Sequence, residues 1–454
     1  MSIIPADEPP AVSRTPSGRA ALTPDSRLLR VVGVWGLAAG IVNVTIGGGI
    51  FRLPAGVYAQ LGDASPIAYF VCAIVMALVV TCFAEAGSRV SLTGGLYAYV
   101  EVAFGPFVGF IAGMLLWGGM TSALSAVAVF FGDAMAAMLP SLGSPVIHLV
   151  VIVLILGGLA GLNVRGIGNA TRFNSVMTIA KLAPLAVIIV AGMVGLHGDR
   201  LTIGHTPQVA NLARGSVFLM FAFLGVESAL VPSGEVRDPA RTIPRAIAAA
   251  LVVIVLVYLC VQIVTQSALG PSLASSKTPV ADAAGALLGP AGRTMILVGT
   301  TISMFGYVSG MTLAVPRMLF AFGRDGFLFR GLSSVHPIFR TPYIAIIVQT
   351  LITIALATTG TFEQLAIAAN GSILLVYGAC ALAVIQLRRK NIRSSESPFV
   401  APLGGVLPVL ALLAIVWLLW SLTVPEWVAL GMVAAAAVVI FVATRRSRER
   451  RVEA

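Results

Sequence analysis

Twelve apolar runs take up most of this chain, at about 31–57, 64–87, 107–138, 145–163, 171–196, 211–231, 246–268, 291–322, 342–359, 362–387, 403–423 and 426–444. The hydrocarbon core of a bilayer asks for roughly 20 residues of helix, and most of the runs meet that length. In lipid a backbone N–H or C=O has no water to bond, so each run must satisfy its own hydrogen bonds as a helix. A soluble alternative fails on composition, since 10% of the residues are charged where a soluble domain carries about 25%. The expected fold is all-α and membrane-integral, with about twelve transmembrane helices.

Loop charge orients those helices. With both termini in the cytoplasm, 23 Lys and Arg fall in cytoplasmic segments and four, Arg200, Arg214, Lys277 and Arg293, in outer ones. This asymmetry follows the positive-inside rule and accords with an even number of spans. It also accounts for the net charge of +11 without any nucleic acid. Residues 1–30 read as a disordered cytoplasmic tail of Pro, Ser and Arg. The first apolar run is too long for a signal-peptide core and reads as an uncleaved span. The basic stretch 445–454 reads as a cytoplasmic stop-transfer and lipid-headgroup anchor.

Metal and hydrolytic chemistry find no support. Cys72, Cys82, Cys260 and Cys380 lie in apolar runs with no CxxC or Cys/His spacing, which suits small core residues. His148, His197, His205 and His336 form no HExxH pair. No cofactor is expected. The segment Gly323-Arg324-Asp325-Gly326 lacks the setting of a nucleotide loop, and no GxxxxGK is present. A membrane enzyme would need a convergent nucleophile, base or metal set, and a channel would need polar rings or a filter.

Two runs carry the signs of a broken helix. The first holds Thr45-Ile46-Gly47-Gly48-Gly49-Ile50-Phe51-Arg52-Leu53-Pro54. Each glycine lowers helix stability by ~1 kcal/mol, and three in a row before a proline predict unwinding. The competing reading is close helix packing on small residues. A break at membrane depth is tolerated where it is buried in protein or lines a cavity, and the N–H groups at the new helix start suit a carboxylate. The sixth run holds Phe221-Ala222-Phe223-Leu224-Gly225-Val226-Glu227. A carboxyl group inside a span is expensive and marks a functional candidate. Breaks at matching positions of two halves point to a transporter site.

Four stretches then resemble the amino acid–polyamine–organocation superfamily over about residues 31–422. They are Ile46-Gly47-Gly48-Gly49-Ile50-Phe51; Thr93 to Tyr99 with Phe104-Gly105, preceded by Glu85; Phe221 to Glu227 with Glu235 to Ala246; and Pro316 to Ala321 with Gly323 to Gly326, His336-Pro337 and Arg340-Thr341-Pro342. Gly48 stands where that family usually has Ser or Thr. The resemblance implies a LeuT-type fold, with a first five-helix repeat over 31–196, an inverted second repeat over 211–388, and two accessory helices over 403–444. It implies a substrate site in which the backbone of Gly47, Gly48 and Gly49 holds a carboxylate. Carbonyls from Thr45 and from Ala222 to Leu224 would hold an ammonium, and Phe221 would serve as an aromatic gate. Lys181, in the fifth run, resembles the lysine of sodium-independent members and would take the place of a coupling sodium.

The expected activity is secondary transport of amino acids across the cell membrane, with protons or exchange as the driving force. An amine or polyamine exchanger is the alternative. Glu227 is read as responding to pH or meeting a cationic side chain. For Arg52 three readings stay open: pairing with an acid, favouring an acidic substrate, or reaching to the membrane surface.

Overall fold

A computed structural model describes residues 33–90, 95–142, 144–165, 170–195, 206–227, 239–393 and 398–444; at 140, 170–181 and 239–240 it covers the backbone alone. The tails 1–30 and 445–454 lie outside these residues, as do Thr93 and Gly94 and the stretch from Ser228 to Asp238. Fourteen α-helices and no strand are found among the described residues. In chain order they are α1 (Val34–Thr45), α2 (Gly49–Leu61), α3 (Ser65–Arg89), α4 (Leu96–Phe104), α5 (Pro106–Met138), α6 (Pro145–Arg165), α7 (Ala170–Val194), α8 (Val209–Met220), α9 (Pro239–Leu269), α10 (Pro279–Arg324), α11 (Tyr343–Thr359), α12 (Phe362–Arg389), α13 (Val406–Trp420) and α14 (Val424–Ala443).

Among the described residues seven helical segments are long and apolar enough to cross a membrane, and five shorter apolar helices of 10–17 residues accompany them. Each of the twelve apolar runs falls on helix. Proline marks several starts, at Pro106, Pro145, Pro239 and Pro279. Its missing N–H costs nothing in the first turn, and its fixed φ suits a helix. Capping boxes open α12, through Thr361 and Gln364, and α14, through Thr423 and Glu426.

Hydropathy did not reveal two helices. One is α4, which packs on α5 and α12. The other is the stretch of α10 before Gly289, which that residue separates from the rest with φ 72 and ψ −168, a conformation open to glycine. The stretch Glu235 to Ala246 singled out in the sequence is helical from Pro239 onward.

The core centres on α5 and α12, which pack against each other. Around them α10 touches α5 and α7, α9 touches α1 and α3, and α8 touches α2 and α3. At one end, Glu85 of α3 is wholly buried. Its carboxylate accepts from Arg89 Nε at 2.9 Å, Arg388 Nε at 2.7 Å and the Ala401 N–H at 2.8 Å. Arg388 belongs to α12 and Ala401 to the segment leading into α13. One carboxylate therefore fastens three parts of the chain. Arg214 of α8 and Glu426 of α14 form a two-pronged ion pair, both contacts at 2.7 Å.

Candidate binding site at two facing helix breaks

The glycine run does break its helix. α1 stops at Thr45, Ile46 leaves helical geometry at φ −73 and ψ 80, and α2 begins at Gly49. Gly47 N–H turns back to Thr45 O at 2.8 Å, and Phe51 N–H reaches Gly48 O at 3.2 Å. The N–H groups of Gly48, Gly49 and Ile50 have no acceptor among the described residues, and all three residues are buried. Buried N–H groups are rarely left unbonded, so three at one helix start suit an anionic ligand.

The second break is of another kind. α8 ends at Met220, and Phe221–Phe223 tighten into one 3-10 turn. Leu224 is extended, at φ −62 and ψ 136, and Gly225 has φ 108. Tightening at the end of α8 frees carbonyls, and Asn370 of α12 meets one by donating its amide to Val217 O at 2.6 Å. This contact answers the backbone accounting that a mid-span break raises.

The two breaks meet. A Cβ built on Gly49 would stand 3.1 Å from the Phe221 ring and 3.6 Å from Ala222 Cα, and one on Gly225 would stand 3.0 Å from Val44 Cγ1. Tyr258 of α9 joins them more directly. Its hydroxyl lies 2.9 Å from Thr45 O and 2.7 Å from Ala222 O. Its ring is fully buried, edge-on to Phe223 at 5.5 Å. Sequence reasoning assigned those two carbonyls to a ligand and overlooked the tyrosine beside them. Each carbonyl oxygen has two lone pairs, so Tyr258 engages them without using them up.

Glu227 is buried, and its Oε2 accepts the Gly225 N–H at 3.0 Å and the Tyr377 hydroxyl at 2.8 Å. Among the described residues its partners are a backbone amide and a phenol. Phe221 packs edge-on to Phe362 at 5.5 Å, beside the Gly49 start of α2. Gly48 faces α10, where its Cβ would come within 2.9 Å of Met304 Cγ. The space a Ser or Thr hydroxyl would need is thus held by Met304. Lys181 lies on the α7 backbone, but its side chain is outside the described residues.

Of the three readings of Arg52, the structure shows the pairing with an acid. Its guanidinium donates to Glu363 Oε1 at 2.8 Å and to the Lys277 carbonyl, and stands 3.8 Å from Asp133 Oδ2. The same guanidinium carbon sits 5.9 Å and 5.8 Å from the ring centres of Phe130 and Phe362, within cation–π range. Phe362 in turn carries Phe221, so the charged cluster sits over the aromatic residues that flank the breaks.

A family model described as amino acid permease matches residues 32–443. The chain is 28% identical to a serine/threonine exchanger of Bacillus subtilis, over 90% of this chain and 95% of that one. It is 26% identical to a methylthioribose transporter of the same organism, over 92% and 94%. It is also 26% identical to a branched-chain amino acid permease of Lactococcus lactis, over 86% and 88%.

Proposed function

This chain belongs to the amino acid permease family, a multi-pass membrane transporter by that membership and by its apolar helices, and from there we propose that it carries amino acids by alternating access around the two facing breaks. The observation that carries the reading is the start of α2, where the buried N–H groups of Gly48, Gly49 and Ile50 lack acceptors. An amino acid carboxylate supplies the acceptor, aided by the positive end of the helix dipole. Carbonyls of Thr45 and of Ala222 to Leu224 face the ammonium, and Phe221 covers the ligand from the Arg52 side. Ile46 and Gly47 shape the turn, while Gly225 and Glu227 hold the opposite break in register. An amine without a carboxylate would leave the α2 donors unmet.

In this reading the twelve helical runs form two inverted five-helix repeats, 31–196 and 211–388, with two accessory helices over 403–444. Both termini are cytoplasmic and the membrane is the cell membrane, as the loop charges argue. The Arg52 cluster is then at the outer end, and Glu85 with Arg388 at the inner end. Lys181 replaces a coupling sodium, and release of its proton during the cycle drives transport or exchange.

Uptake into proteoliposomes of the purified protein tests this, with labelled amino acids and polyamines and with proton and sodium gradients imposed separately. Amino acid accumulation under an inward proton gradient, unchanged by sodium, is expected. Amine-only uptake would remove the carboxylate site, and a sodium requirement would remove the Lys181 assignment. Lys181→Ala is expected to abolish the response to the proton gradient; full transport with an unaltered pH response would sink that role. Tyr258→Phe is expected to lower stability by about 1 kcal/mol for the lost hydrogen bond and to weaken substrate affinity. A phenylalanine protein with wild-type affinity would show that the bridge between breaks is dispensable.

A further inference from the structure

At the Arg52 end a cavity of about 580 Å³ opens between α5, α6 and the start of α10, lined among others by Asp133, His148, Lys277, Asp282 and Arg293. Its volume is in the range of small-molecule sites. Asp282 is already satisfied, accepting from the hydroxyls of Ser276 and Thr278 and from Arg293 Nε. Asp133, half-buried, and Lys277, exposed to solvent, lack such partners. Asp133 accepts no hydrogen bond among the described residues; the His148 imidazole Nε2 stands 3.5 Å away and Arg52 Nη1 3.8 Å away. A carboxylate has about four acceptor positions, and these stand open on a side chain only 20% exposed. Lys277 takes part through its carbonyl, which binds Arg52, while its ammonium has no partner among the described residues. The two charges share Arg52 as a neighbour, yet they form no ion pair with each other.

An open acid and an open base on one cavity, too far apart to pair, fit a ligand that brings both charges. The paired Asp282 and Arg293 add no net charge, so neither a simple anion nor a simple cation is favoured. We propose that this cavity is an outer binding site for a zwitterionic α-amino acid, with Asp133 receiving the ammonium and Lys277 the carboxylate. The site is distinct from the helix breaks, sharing none of their residues. Its role as an antechamber rests on the transport reading above; the binding itself does not. Occupation also competes with Arg52 for Asp133, so a ligand here loosens one contact of the cluster that lies over Phe362 and Phe221.

The test places a cysteine on the cavity wall, Ala136→Cys, in a Cys260→Ala background of the full chain, since the other three cysteines are buried. Its rate of modification by a charged thiosulfonate is followed in detergent, with glycine as the smallest zwitterion and with methylamine and acetate as single-charge controls. At several times its dissociation constant glycine should slow labelling roughly fivefold, by occupancy alone, while each control does little. Asp133→Asn and Lys277→Gln should each remove that protection. The proposal is overturned if glycine gives no protection, if either control protects as well as glycine, or if protection survives both substitutions. Loss of amino acid uptake in proteoliposomes with protection intact would instead count against the transport reading alone.

Discussion

Alanine in place of Glu85 is expected to destabilise the protein by about 3–5 kcal/mol, the range for removing one partner of a buried ion pair. The effect is large because two guanidinium groups, from Arg89 and Arg388, converge on one wholly buried carboxylate. Without it both positive charges face each other in a closed space, and the Ala401 N–H also loses its acceptor. Glu85→Gln keeps the shape and one acceptor oxygen, so its loss should be smaller. Thermal unfolding in detergent, followed by intrinsic fluorescence or by surviving monodisperse protein, reads the difference. A drop on the order of 5 °C or more for alanine is expected; an unchanged midpoint would mean the carboxylate is not the fastening between α3, α12 and the segment before α13.

Gly225→Ala is expected to reduce uptake by about tenfold or more, while leaving a folded, monodisperse protein. At φ 108 a residue with a Cβ is strained by about 1–3 kcal/mol, and the new carbon would also press to 3.0 Å on Val44 Cγ1. To relieve this the Leu224–Glu227 turn must rotate. That takes the Gly225 N–H off Glu227 and shifts the carbonyls opposite the α2 start. A barrier change of about 1.4 kcal/mol is already tenfold in rate. Gly157→Ala is the control, because a Cβ there meets nothing within 4 Å. Equal uptake by both variants would show that the second break does not need its glycine geometry.

How far the sequence reveals this architecture depends on how local each signal is. The apolar runs are local, and helix forms at every one of them. The unwinding at Ile46 to Gly48 is local too, because the run of three glycines removes helix propensity at that point whatever surrounds it. Tyr258 could not be found the same way. A lone tyrosine in the apolar α9 looks like core packing, and its meaning comes from Thr45 and Ala222, 213 and 36 residues away. Arg52 stayed undecided for the same reason, since Glu363 lies 311 residues along the chain. Both α4 and the 279–288 helix escaped a hydropathy reading because neither has the length of a span. The departure at Gly48 was visible as a missing hydroxyl, but the methionine that fills the space was not.

The Tyr258 hydroxyl has a single hydrogen and two carbonyls within reach. It can donate to Thr45 or to Ala222, and a small torsion of the C–O bond exchanges one for the other without disturbing the packed ring. The phenol oxygen thus works as a gauge block: the two carbonyl oxygens can be no farther apart than those two contacts laid end to end. Any motion that spreads α1 from α8 beyond that distance must let go of one side, and the hydrogen records which. The two breaks therefore keep a common clearance through one atom on a third helix, and a change at either break is felt at the other as a change of hydrogen-bond partner.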